Sequence, residues 1–162
     1  MSELPLPNAV PDEFGGERAT AALRLHHVGV VVDDLGRAGE EYQSLGYSVC
    51  TKVFHDPVQT AYVQFLRLPS DRVLLELVTP DSEKSKLANA LKKGGGLNHL
   101  CFATDDIEKC WASLRAQGLF PLQRPVPAVA FGGRRIAWFL GRNRVPVELV
   151  ECVMSEETGQ LI

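Results

Sequence analysis

Leu25-His26-His27-Val28-Gly29 and Leu97-Asn98-His99-Leu100-Cys101 are one stretch of sequence written twice, 72 residues apart. The correspondence continues without a gap. Asp33-Asp34-Leu35 lines up with Asp105-Asp106-Ile107, Gly46 with Gly118 and Leu68 with Leu140. Arg72-Val73 lines up with Arg144-Val145, and Glu76-Leu77-Val78 with Glu148-Leu149-Val150. A period of this length marks two copies of one supersecondary unit, neither able to bury a core alone. Chemistry repeats with it: His27 returns as His99, and Glu76 as Glu148.

Each copy opens with a strand, residues 25–32 and 97–104, apolar and β-branched enough for sheet core. A helix follows. In the first copy Leu35, Ala38, Tyr42 and Leu45 recur at helical spacing between Asp33-Asp34 and a Gly46 stop. In the second, Ile107, Cys110, Trp111 and Leu114 do the same, with Asp105-x-x-Glu108 resembling a capping box and Gly118 closing the turn. Three strand-like runs come next in each: residues 47–54, 61–68 and 73–78, then 121–126 (interrupted by prolines), 135–140 and 145–150. The expected architecture is α+β, two repeated βαβββ modules over residues 24–80 and 97–151. Between them, residues 81–96 form a linker whose helix starts at Asp81-Ser82, runs through Leu87 and Leu91, and ends at Gly94. Residues 1–23, with Pro5, Pro7, Pro11, Gly15 and Gly16, read as a loose arm, and residues 152–162 as a polar tail.

At 162 residues the chain is one domain by size. A net charge of −3 gives no electrostatic reason to expect nucleic acid or an anionic membrane as partner. No apolar run approaches the length of a membrane span. Met1-Ser2-Glu3-Leu4-Pro5 lacks the order of a signal peptide, and Cys50, Cys101, Cys110 and Cys152 form no Cys-x-x-Cys pair. A cytoplasmic protein with reduced thiols is the expectation.

The repeated histidines and glutamates point to a metal. Strand alternation puts His27 on a face with Gly29 and Val31, and His99 with Cys101 and Ala103. Glu76 shares a face with Leu74 and Val78, and Glu148 with Pro146 and Val150. An ionised glutamate in such a strand must be compensated for its desolvation, and here that demand arises twice, symmetrically. Two imidazoles and two carboxylates suit one divalent ion such as Co, Ni, Mn, Fe or Zn. Four protein ligands leave an octahedral ion two open positions for water or substrate.

These residues resemble the vicinal oxygen chelate superfamily, which includes glyoxalase I, methylmalonyl-CoA epimerase and the extradiol dioxygenases. The resemblance covers residues 24–151. Leu25-His26-His27-Val28-Gly29-Val30 looks like the family's opening strand, which makes His27 the ligand and His26 not. Leu74-Leu75-Glu76-Leu77-Val78-Thr79-Pro80 resembles the second ligand strand, Gly95-Gly96-Leu97-Asn98-His99 the third, and Val147-Glu148-Leu149-Val150-Glu151 the fourth. The resemblance implies one curved mixed sheet with the metal in its concave face, held by His27, Glu76, His99 and Glu148. Among subfamilies, Thr79-Pro80-Asp81-Ser82 and Gly132-Gly133-Arg134 are most similar to methylmalonyl-CoA epimerase.

That subfamily implies proton abstraction α to a carbonyl of a small molecule, an acyl-CoA among the candidates, in a homodimer. Glu148 is the candidate base. The subfamily's second acidic group lies in a Glu-x-Gly-like segment, which this chain replaces with Phe54-His55-Asp56-Pro57-Val58-Gln59-Thr60. Asp56 or His55 would have to serve there. Arg134 and Arg135 are candidates for a substrate carboxylate, since a guanidinium fork suits it. Lys92-Lys93 before three glycines is a weaker candidate for coenzyme A phosphates. Two alternatives remain: a glyoxalase I-like lyase, and a non-catalytic binding or resistance protein on the same fold.

Overall fold

A computed structural model describes residues 23–152. The expected arm and tail therefore lie, but for Leu23 and Cys152, outside the described residues. In chain order the elements are β1 (Arg24–Val31), α1 (Leu35–Ser44), β2 (Ser48–Val49), β3 (Phe54–Asp56), β4 (Ala61–Arg67) and β5 (Leu74–Pro80). Then come α2 (Ala88–Lys92), β6 (Gly96–Thr104), α3 (Ile107–Ala116), β7 (Phe120–Pro127), a 3₁₀ turn (Val129–Phe131), β8 (Arg135–Leu140) and β9 (Pro146–Glu151).

All nine strands form one mixed, open sheet in the order β2-β4-β5-β1-β6-β9-β8-β7, with β3 also paired to β4. The two modules meet where β1 runs antiparallel to β6. On either side the pattern repeats. β1 is parallel to β5 and β6 to β9, while β4 and β8 continue antiparallel beyond them. The fold is thus the expected α+β mixed sheet, with a local pseudo-twofold between β1 and β6.

One face of the sheet is covered by the long helices. Leu75 and Leu77 of β5 pack with Leu66 and Ala38 under α1. Leu149 of β9 and Ala137 and Phe139 of β8 pack with Ile107, Cys110 and Leu114 of α3, and Trp111 joins them. The opposite face carries Val31, Val63, Phe65, Val78, Cys101, Ala103, Ile136 and Val150, closed over by Phe131, Leu87, Ala90 and Leu91. Alternation along each strand sorts these two sets. It also resolves the aromatics, with Phe65 and Trp138 on the open face and Phe139 beneath α3.

Four local expectations change. The run over residues 47–54 does not form one strand; it breaks into β2 and the short β3. The proline-interrupted run is a strand of eight residues, β7, tolerated because it lies at the sheet edge and slips register twice. The linker helix begins at Ala88 rather than Asp81. In α3 the N-cap is Asp106, whose Oδ1 accepts from the Lys109 amide, and Asp34 serves α1 in the same way through Arg37. Glu108 makes an ion pair with Arg135 instead of closing a capping box. Among the described residues no helix is long and apolar enough to cross a membrane.

Candidate metal centre

The register of the central strands assembles the site. Across β1 and β6, His27 pairs with Cys101 and Gly29 with His99. Each histidine therefore faces the small residue two places beyond the other. Across the parallel pairs, Gly29 stands beside Glu76 and Cys101 beside Glu148. A side chain larger than glycine at position 29 would collide with the His99 ring.

The four donors converge. His27 Nε2 lies 3.1 Å from His99 Nε2. Glu148 Oε2 is 3.1 Å from His27 Nε2 and 3.5 Å from His99 Nε2. Glu76 Oε2 mirrors this, 3.1 Å from His99 Nε2 and 3.5 Å from His27 Nε2. All four residues are buried, and Glu148 Oε2 has no hydrogen bond. Adjacent donors around an octahedral first-row ion with bonds of about 2.1 Å sit roughly 3 Å apart. His27, Glu76 and His99 offer ligand atoms within 4.8 Å of one another, Glu148 approaches both histidines, and this donor chemistry suits such an ion.

Electrostatics at this point are dominated by the two carboxylates. Burial favours neutral imidazole at His27, but Glu76, with Glu148, reverses this and pushes the group up to about 9. Burial raises Glu76, yet His27 and then His99 outweigh it and hold the carboxyl well below the usual range. Burial, reinforced by Glu148, pushes the Cys101 thiol up, which leaves it an inert core thiol.

A pH dependence follows for the metal-free protein. His27 titrates at about 9 when folded against an ordinary value of 6.5. The raised value means protonated His27 stabilises the fold; that contribution is complete below pH 6.5 and disappears as pH rises through about 9. Thermal melts of chelator-treated protein should lose midpoint temperature across that window. A divalent ion must displace this proton, so its binding at pH 7 should release about one proton and strengthen with pH. Calorimetry in buffers of different ionisation enthalpy measures the release. No proton release at pH 7 would contradict a bound ion at His27.

A cavity of about 330 Å³ opens beside these donors. Its walls are mainly apolar, including Ala61, Val63, Leu122, Ala128, Ile136 and Pro146, with Asp56, Gln59, Lys86, Asn98 and Gln123 as polar members. Phe131 stacks against the His27 ring, with centroids 6.0 Å apart, and Trp138 stands edge-on to His99 at 4.8 Å.

The other sequence-predicted residues divide. Asp56 is buried and lines the cavity, but its Oδ1 accepts from the amides of Val58 and Gln59, and Oδ2 lies 3.4 Å from the Val129 amide. His55, one place along β3, turns outward to Asp81 at 3.0 Å and stacks on Tyr62. Neither arginine lines the cavity. Arg135 shares the helix face of β8 with Ala137 and Phe139, where it grips Glu151 through two nitrogens and Glu108 through one. Arg134 donates to the Phe131 carbonyl and lies 3.0 Å from Cys152 Sγ. In this structure the guanidinium of Arg135 is held by Glu151 and Glu108, and that of Arg134 by the Phe131 carbonyl and Cys152. Lys92 and Lys93 likewise lie outside the cavity lining, where Lys86 stands instead. Phe131 and Lys86 have no signature in the sequence, because a 3₁₀ turn and a linker carry no periodic signal.

Residues 26–138 match the model of the glyoxalase/bleomycin resistance protein/dioxygenase superfamily. The chain is 31% identical over 116 residues to an ethylmalonyl-CoA/methylmalonyl-CoA epimerase of Cereibacter sphaeroides, covering 70% of this chain and 84% of that one. It is 26% identical over 132 residues to the mitochondrial methylmalonyl-CoA epimerase of Dictyostelium discoideum, covering 79% and 78%. Among solved structures, methylmalonyl-CoA epimerase from Mycobacterium tuberculosis superimposes with a TM-score of 0.71 at 28% identity, covering 80% of this chain and 87% of that one. A methylmalonyl-CoA epimerase in complex with methylmalonyl-CoA and NH4+ gives 0.72 at 26% identity, covering 83% and 98%. With its repeated modules, its converging donors and a matched model spanning most of its length, the chain belongs to the glyoxalase/bleomycin resistance protein/dioxygenase superfamily.

Proposed function

We propose that this protein is a metal-dependent epimerase that removes and returns the proton α to the carbonyl of an acyl-CoA, methylmalonyl-CoA being the first substrate to test. The observation that carries the reading is the convergence of His27, Glu76, His99 and Glu148 beside an apolar cavity. The solved relative bound to methylmalonyl-CoA supports the substrate class. When bound, a divalent ion supplies Lewis-acid stabilisation of the oxygen charge that develops as the proton leaves. The four side chains would hold it.

Glu148 takes the α-proton. Its carboxylate is buried, with Oε2 3.1 Å from His27 Nε2 and 3.5 Å from His99 Nε2, the two nitrogens that a bound ion would engage. The apolar walls exclude water and strengthen every charge interaction inside. Epimerisation also needs a proton delivered from the opposite side, and Asp56 is the carboxylate of the cavity outside the metal quartet. A homodimer belongs to this reading. Leu25, Leu97 and Leu100, exposed on the adjacent strands β1 and β6, offer apolar surface for it, and analytical ultracentrifugation measures the state.

The hydrogen bonds on Asp56 favour a second reading, a glyoxalase I-like lyase, in which one metal-bound carboxylate moves a proton between neighbouring carbons. Asp56→Asn separates the two. Asparagine keeps an Oδ1 acceptor for the Val58 and Gln59 amides, so the turn survives while the acid-base group is lost. With Asp56 as second acid-base, epimerisation should fall roughly 10²-fold or more while deuterium exchange at one face continues. Unchanged epimerisation would make Asp56 a turn cap only.

The test of the whole reading is cobalt-loaded protein with methylmalonyl-CoA in D2O, following the α-proton by NMR. Metal-dependent loss of the signal supports it. No exchange with metal bound would move the assignment to a lyase substrate, and turnover of neither substrate class would leave a binding protein.

A further inference from the structure

Alternation should place the residue before each ligand histidine on the opposite face of the sheet. It does not. Between β1 and β6, Leu25 pairs with Phe102 and His27 with Cys101, which leaves His26 as an extra residue. Gly29 then pairs with His99 and Val30 with Leu97, which leaves Asn98 as an extra residue on the other strand. These are two β-bulges, one in each copy of the repeat and at equivalent positions. A bulge re-aims a side chain, and sites beside functional centres use it for that purpose.

Both re-aimed side chains reach the same atom of their neighbour. Asn98 Oδ1 lies 3.0 Å from His99 Nδ1. His26 Nδ1 lies 2.8 Å from His27 Nδ1, and His26 is fully buried, edge-on to Phe131. A neutral imidazole that offers a lone pair at Nε2 carries its hydrogen at Nδ1. That hydrogen needs an acceptor. An amide oxygen can only accept, so the bond at Asn98 has one sense. His26, the repeat's counterpart of Asn98, has an Nδ1 that accepts only when its own hydrogen is on Nε2.

We propose that His26 is a positioning residue: it accepts the Nδ1 hydrogen of His27, as Asn98 does for His99, so that both Nε2 lone pairs face a divalent ion. This rests on the metal reading above. Outer partners of ligating histidines fix tautomer and ring orientation, and a carboxylate in that role also raises the ligand's basicity. Here both acceptors are neutral, so the ion keeps more of its charge for the substrate oxygen.

Cobalt(II) titration of the full chain, followed by calorimetry and visible absorption, tests this with wild type, His26→Asn and His26→Phe. Phenylalanine removes the acceptor and should weaken cobalt binding about 10–100-fold, while asparagine, copying Asn98, should stay within about threefold of wild type. Equal binding by all three, or equal loss in both variants, overturns the proposal. A folded wild type that binds no cobalt sinks the metal reading as well, which distinguishes the two failures. His26, His27 and Cys101 also have ligating atoms within 4.8 Å of one another. A cobalt–thiolate charge-transfer band would put the ion there and overturn the proposal. Should His26→Phe not fold, ring ¹⁵N spectra of the zinc-loaded wild type decide. The expected pattern is a hydrogen on His27 Nδ1 and on His26 Nε2, and a hydrogen on His26 Nδ1 overturns it.

Discussion

Replacing Glu148 with glutamine is expected to slow α-proton exchange by roughly 10²–10⁴-fold, the range for removing a positioned general base. The amide has nearly the same shape, so the buried position in β9 is filled as before. It has no basicity to accept a carbon-bound proton. Its oxygen can still approach a divalent ion, so metal affinity should fall far less than rate. Glu148→Ala should lose both, because a buried ligand disappears from beside His27 and His99. Deuterium wash-in followed by NMR and cobalt calorimetry together read the two quantities. A glutamine variant that exchanges at nearly the wild-type rate would place the base elsewhere and remove Glu148 from the mechanism.

The second large effect comes from a residue with no chemistry of its own. Gly29→Ala adds one carbon where the His99 imidazole already stands, and three of the ring's atoms crowd that point. The backbone cannot yield easily, because Gly29 pairs with both Glu76 and His99 in the middle of the sheet. His99 must swing away or the strands must part. Overpacking of this kind costs about 1–3 kcal/mol of stability, and displacing one ligand should also weaken cobalt binding by more than about tenfold. Urea unfolding and metal titration of the same variant measure both. Wild-type affinity in Gly29→Ala would mean that His99 does not occupy its present rotamer when metal is bound. The equivalent position in the second copy is Cys101, also small and also facing a histidine, His27.

That pairing shows how far the repeat reaches. Because the two copies align without a gap, Gly29 and Cys101 fall at equivalent positions, each opposite the other copy's histidine. The same alignment marks Glu76 and Glu148, since two carboxylates on core strands need a common partner. Strand and helix positions were legible where periodicity was strong, as in β5 and α3. They blurred where it was weak, as in the broken run that became β2 and β3.

The arginines and the bulges mark the boundary. Alternation sorts Arg135, Ala137 and Phe139 from Ile136 and Trp138, but it does not say which set lies under a helix. Only the packing of α3 against β8 made Arg135 a partner of Glu108 and Glu151. Asp56 reads in sequence as a free carboxylate, yet the turn it precedes takes its Oδ1 for two backbone amides. His26 is the sharpest instance. The sequence by itself determined that two modules join and which four side chains meet, because repeat and polarity are properties of the residues. Only the tertiary structure decided which neighbours stand behind those four. A bulge is set by hydrogen-bond register between strands far apart in the chain, and one extra residue there reverses the face that alternation assigns.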